Sequence, residues 1–197
     1  MKKTDIFAAL IIGELVALLS FGILKNLGLE TKFLYWFWPI CLPVLSLFGL
    51  WVAYLLGKKF LTIWQVAKFL LVGALNTFVD LGILNILILI SGVAGGLLYS
   101  VFKGASFVVA VINSYFWNKF WTFERVKLAD PKKEFFQFLA VSAVGFLINV
   151  GAASLIVNLI GPQFGLSDKI WANIGAFSAT FCGMTWNFLG YKFIVFK

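Results

Sequence analysis

The chain has 197 residues, of which 62% are hydrophobic and only 12% charged, with a mean hydropathy of +1.00. A soluble domain carries roughly a quarter charged residues, so this composition excludes one and defines an integral membrane protein. The formal charge of +8 resides mainly in lysines at the ends of apolar runs, which points to an anionic leaflet and away from nucleic acid.

The first run follows Met1, Lys2 and Lys3 and is too long for a signal peptide with no small-residue cleavage pattern after it, so it is read as a retained span. Six runs are long enough to cross about 30 Å of hydrocarbon as helices: residues 6–24, 33–56, 66–90, 97–121, 135–160 and 170–191. They are continuous and do not alternate, which excludes membrane strands. The fold expected is an all-α integral membrane protein of six transmembrane helices. Pro39 and Pro43 are expected to kink the second.

Threading six spans gathers Lys2, Lys3, Lys58, Lys59, Arg125, Lys127, Lys132, Lys133, Lys192 and Lys197 on one side, against Lys25, Lys32, Lys103 and Lys169 on the other. The bias predicts cytoplasmic termini and a cytoplasmic membrane location. In the polar segment between spans four and five, Asp130 followed by Pro131 reads as an N-cap and first helical position.

Shifting the chain by 69 positions aligns spans three and four with five and six. Asp80 falls on Asn149, Gly82 on Gly151, Ala110 on Ala179, Trp117 on Trp186 and Asn118 on Asn187; four extra residues then precede the match of Lys119 with Lys192. A two-helix unit repeated after an even number of crossings is a parallel repeat. The domains expected are an N-terminal hairpin, 1–60, and a four-helix domain, 61–197, with repeats at about 66–123 and 135–197. Small residues run down span four (Ser106, Ala110, Ser114) and span six (Gly175, Ala179, Gly183). This spacing allows close helix approach, so spans four and six are expected to meet along these stripes, with Asn118 and Asn187 at the cytoplasmic end of the seam.

Charges within the spans need partners. Asp80 lies roughly 15 Å from the outer end of span three with Asn76 one turn away, and Lys103 lies about 8 Å inside span four. Both charges vanish together from the second copy, as Asn149 and Ala172. The pair is either a structural salt bridge or a station where Lys103 exchanges Asp80 for an anionic substrate. Glu14 in span one could pair across helices, sit neutral or carry protons. Trp117, Trp121, Asn118 and Lys119 have the composition of an interface anchor. Cys41 and Cys182 lack neighbours at metal-ligand spacing and the chain has no histidine, so neither a metal nor another cofactor is expected.

FLLVGALNTFVDLGI (69–83) and SYFWNKFWTF (114–123) resemble the two helix patterns of the GtrA-like membrane proteins, across residues 66–197. Lys119 stands where that family often has Arg, the second copy ends WNFLGYKFIVF, and the first two spans are extra. The resemblance implies flipping of a polyprenyl-phosphate-linked sugar, such as undecaprenyl-phosphate glucose, to the outer leaflet for surface polysaccharide or glycolipid synthesis. It also implies work beside a family 2 glycosyltransferase; related modules are fused to dolichol-phosphate-mannose-synthase-like enzymes. Lys119 with Asn118, Lys192 with Asn187, and Arg125 would receive the phosphate on the cytoplasmic side, and Lys103 nearer the outside. Trp117, Trp121 and Trp186 could stack on a sugar. With no DxD or Walker A sequence, the chain is not expected to be an enzyme. Two alternatives stay open: a membrane scaffold for the transferase, and a proton-coupled transporter using Glu14 or Asp80. The sequence also leaves a homo-oligomer open.

Overall fold

The computed structural model describes residues 1–26, 31–58, 60–93, 96–124, 130–166 and 168–196, at some helical positions as backbone alone. Six α-helices follow one another among the described residues: α1 Lys3–Asn26, α2 Lys32–Gly57, α3 Leu61–Ser91, α4 Gly96–Trp117, α5 Pro131–Ser154 and α6 Asp168–Gly190. Among the described residues no strand occurs. Four helices among the described residues, α1, α2, α3 and α5, are long and apolar enough to cross a membrane.

Local chemistry explains the helix ends. Thr31 caps α2 by accepting from the Leu34 N–H. Asp130 caps α5 through the N–H groups of Lys132 and Lys133, with Pro131 in the first turn, as its sequence predicts. Gly92 closes α3 in the left-handed region at φ 70°, donating to the Ile88 carbonyl, a conformation that costs a glycine little. Short π-helical segments finish three helices: Asn118–Thr122 after α4, Leu155–Ile160 after α5 and Tyr191–Val195 after α6. The first and last end alike, with Phe123 N–H on Asn118 O at 2.9 Å and Phe196 N–H on Tyr191 O at 2.8 Å.

The chain forms two compact units, Met1–Val126 and Lys127–Lys197. In the first, α1 packs on α2 and α3, and α3 packs on α4. Its core joins Ile12 and Val16 of α1, Leu50 of α2, Val72, Leu75 and Val79 of α3, Ala110 of α4 and Trp121. Glycines set the closest approaches. A Cβ on Gly13 would lie 2.6 Å from the Pro43 nitrogen and 2.7 Å from the Leu42 carbonyl oxygen, and one on Gly82 would lie 2.8 Å from the Leu19 Cβ. Pro39 and Pro43 thus sit inside a continuous α2, and Pro43 is buried against α1. On α2's other side Phe33, Trp36, Ile40, Val44, Phe48 and Trp51 are all exposed. That helical-period apolar stripe is what a lipid-facing surface requires.

In the second unit α5 packs on α6. Phe138 stacks on Tyr191 with centroids 4.5 Å apart, the Tyr191 and Ser142 hydroxyls are hydrogen-bonded at 2.6 Å, and the Trp186 indole donates to the Val141 carbonyl at 3.1 Å.

The small-residue stripes are occupied within each unit: Ser106 bonds to Asp80 of α3, and a Cβ on Gly183 would stand 3.1 Å from the Gly145 carbonyl oxygen of α5. These small side chains meet the hairpin partner next in sequence.

Candidate functional site

Helix α3 begins at Leu61, five residues before the expected start, and its 31 residues extend about 46 Å at 1.5 Å per residue. The earlier start sets Lys68 about two turns into the helix, where its side chain is 1% exposed. A lone buried ammonium would be strongly destabilising, and the protein surrounds this one on every side. Asp5 Oδ1 lies 2.7 Å from Lys68 Nζ and Glu124 Oε1 lies 3.1 Å from it. The Trp121 carbonyl accepts from it at 3.3 Å. The rings of Trp64 and Trp121 stand 4.9 and 5.3 Å from the ammonium, positions that favour a cation over the π face.

The two carboxylates are held differently. Asp5, 2% exposed, also accepts from the Trp121 indole at 3.1 Å and from the Lys2 N–H at 2.8 Å. Glu124, 45% exposed, is bridged on its other oxygen by Lys2 Nζ at 2.6 Å. The Lys2 hydrogen bond, joined by that of Lys68, holds the Glu124 carboxyl below the usual carboxylate range, against a burial effect that raises it. The same bond to Glu124 raises the Lys2 ammonium above its ordinary value. The start of α1, the early turns of α3 and the end of the α4 segment are thereby joined at one end of the first unit.

From this cluster polar groups continue between α3 and α4. Asn118, 1% exposed, donates to the Ser114 carbonyl and hydroxyl at 2.9 and 3.2 Å. Its Oδ1 is buried without a partner among the described residues. Further along, Asn113 donates to Asn76 at 2.6 Å and Ser106 donates to Asp80 at 2.7 Å. Asp80 therefore has a hydroxyl on α4, whereas the side chain of Lys103, its expected partner, lies outside the described residues.

The other expected site residues fall as follows. Lys119 is buried, donates to the Tyr115 hydroxyl at 3.1 Å and lies over the Tyr115 and Phe120 rings. Trp117 meets Trp121 edge-on at 5.7 Å. Trp121 is buried in the core and spends its N–H on Asp5, which leaves its face to the ammonium of Lys68. Lys192 lies over Phe188 and Phe193 at 5.6 Å each. Asn187 packs against Gly145, and its Oδ1, like that of Asn118, is buried without a partner among the described residues. Asn149 abuts Gly183, and Glu14 is half-buried midway along α1. Arg125 lies outside the described residues. Asn118 and Lys119 belong to the first unit, Asn187 and Lys192 to the second.

Lys68 and Asp5 are absent from the sequence reading of the site. The pattern that marks them is a lysine inside an apolar run, aligned with Gln137 in the second copy, so a cation disappears there just as Asp80 does.

Fold and site together define a multi-helix membrane protein with buried, paired charges at helix ends. The family model described as GtrA/DPMS, transmembrane domain, matches residues 68–196, and the chain belongs to this family. It is also similar to the uncharacterized membrane protein YngA of Bacillus subtilis (strain 168), 31% identical over 140 residues that cover 66% of this chain and 78% of the relative. No solved structure matches it. Lys68 is thus the first residue of the family match, and its most buried counter-ion, Asp5, comes from the hairpin that precedes it.

Proposed function

We propose that this protein flips a polyprenyl-phosphate-linked sugar from the cytoplasmic to the outer leaflet of the cell membrane. It carries no covalent chemistry of its own, and a family 2 glycosyltransferase supplies the substrate. The observation that carries this reading is the polar ladder of α3 and α4 within a chain of this family: Asn118, then Asn113 with Asn76, then Ser106 with Asp80. From residue 106 to 118 it extends about 18 Å along α4. Such a track gives an anionic head successive hydrogen-bonding groups while the prenyl tail stays in lipid. Six spans with cytoplasmic termini put Lys119 and Lys192 at the cytoplasmic ends of the two repeats, where each can draw a phosphate inward. The Oδ1 atoms of Asn118 and Asn187, buried without a partner among the described residues, suit acceptance of sugar hydroxyls.

Reconstitution tests this reading. Proteoliposomes carrying the wild type should expose a labelled polyprenyl-phosphate sugar across the bilayer, and Lys119→Ala with Lys103→Ala should slow the movement at least tenfold. Unchanged movement in that double variant would remove the assigned phosphate stations. A wild type that moves no lipid but retains a transferase at the membrane would replace flipping by scaffolding.

A further inference from the structure

Lys68 is enclosed on most sides by groups that are themselves locked. Asp5 is fixed by three donors, and Trp64 and Trp121 face the ammonium from within the unit. Glu124 is the exception. Its side chain is 45% exposed, and its backbone sits at φ 53°, in the left-handed region that a non-glycine residue occupies at a cost. Among the described residues two lysine contacts hold it there, one oxygen on Lys68 and the other on Lys2.

We propose that Glu124 is a displaceable carboxylate lid over a phosphate-ester site formed by Lys68 and Lys2. With the lid seated, two lysines face two carboxylates and the cluster is neutral. With it displaced, Lys68 and Lys2 face Asp5 alone, one positive charge is uncompensated, and both ammonium groups remain aimed at the position the carboxylate left. A phosphodiester shares one negative charge over two oxygens at a spacing close to that of a carboxylate, so it can bridge the same two donors. The tryptophan faces keep Lys68 oriented during the exchange, and release of the left-handed backbone at Glu124 favours opening. This site rests on the flippase reading for its ligand: the head group of the lipid-linked sugar would be captured here first, by exchange of one anion for another without stripping Lys68 of its partners.

The test uses the full chain in phosphatidylcholine nanodiscs, titrated calorimetrically with geranyl phosphoglucose and, separately, with inorganic phosphate. Glu124→Gln removes the competing charge, and Glu124→Gly removes it while also tolerating the left-handed backbone, so one folded variant suffices. Either should bind about tenfold more tightly than wild type, the factor expected from losing one charge-assisted competitor. Adding Lys2→Gln should abolish most of the gain. A gain for geranyl phosphoglucose alone assigns the site to a lipid head group; an equal gain for inorganic phosphate assigns it to the free anion. No gain for either probe in a folded variant overturns the lid. Tighter binding in a protein that flips nothing would leave the site standing and remove the flippase reading, whereas normal flipping with unchanged binding would remove the lid alone.

Discussion

Breaking the Lys68–Asp5 pair should be the most damaging single change at the end of the first unit. Both side chains are almost fully buried, at 1% and 2% exposure and 2.7 Å apart. Removing one partner of a buried pair costs about 3–5 kcal/mol, because the other charge is left without compensation. In Asp5→Ala, Glu124 remains 3.1 Å from Lys68 and offsets part of that loss, while the Trp121 indole loses its acceptor. The net expectation is about 3 kcal/mol. Reversible unfolding in dodecylmaltoside titrated with SDS measures it. Lys68→Met completes a double-mutant cycle, and because the double variant buries no unpaired charge, it should be less destabilised than the sum of the single variants by about 2 kcal/mol. A coupling below about 0.5 kcal/mol, the usual scatter of independent sites, would refute the pair as a structural clamp.

Gly13→Ala should destabilise by about 1–3 kcal/mol by forcing α1 from the backbone of α2, whereas Gly49→Ala, which meets nothing within 4 Å, should stay within about 0.5 kcal/mol; the same unfolding assay compares them. Ser106→Ala and Asn113→Ala should each cost about 0.6 to 1.7 kcal/mol, the range for hydrogen bonds between membrane helices, read by the same assay. The pH dependence follows from the Lys2–Glu124 bridge. Glu124 titrates below its ordinary 4.5 in the folded protein, so its contribution is present above 4.5 and disappears as pH falls through the lower folded value. Lys2 titrates above its ordinary 10.5, so its contribution is complete below 10.5 and disappears as pH rises through the higher folded value. Subtracting the Glu124→Gln stability curve from that of the wild type should give a plateau between these limits that falls away at the acid end; a difference independent of pH would contradict the bridge.

Features governed by neighbours in sequence were legible, and those made by packing were not. Asp130 and Pro131 announce the start of α5 because capping chemistry is local to one turn. The apolar runs announce α1, α2, α3 and α5, the helices long and apolar enough among the described residues to cross a membrane, because a segment in lipid must satisfy its backbone internally. Asp80 reads as an intramembrane acid that needs a partner, and the hydroxyl of Ser106 on α4 meets it across 26 residues, a pairing that one sequence does not mark. Lys68 finds Glu124 across 56 residues and Trp121 finds Asp5 across 116. No periodicity encodes such pairs, which exist only once α1 docks on α3 and the end of α4 folds beneath them. The aromatic segment at 117–121 reads as a membrane-surface anchor from composition alone, while packing turns Trp121 inward to hold both Asp5 and Lys68.

The flippase reading turns on whether the purified chain moves the lipid-linked sugar by itself. In vesicles containing both a labelled geranyl phosphoglucose and a phosphatidylglycerol reporter of equal charge, the rate at which each becomes accessible from the far side can be followed together as protein density is raised. A rate for the sugar lipid that grows with protein density while the phosphatidylglycerol rate stays at that of protein-free vesicles is the expected result. Equal acceleration of both lipids, or of neither, would contradict it.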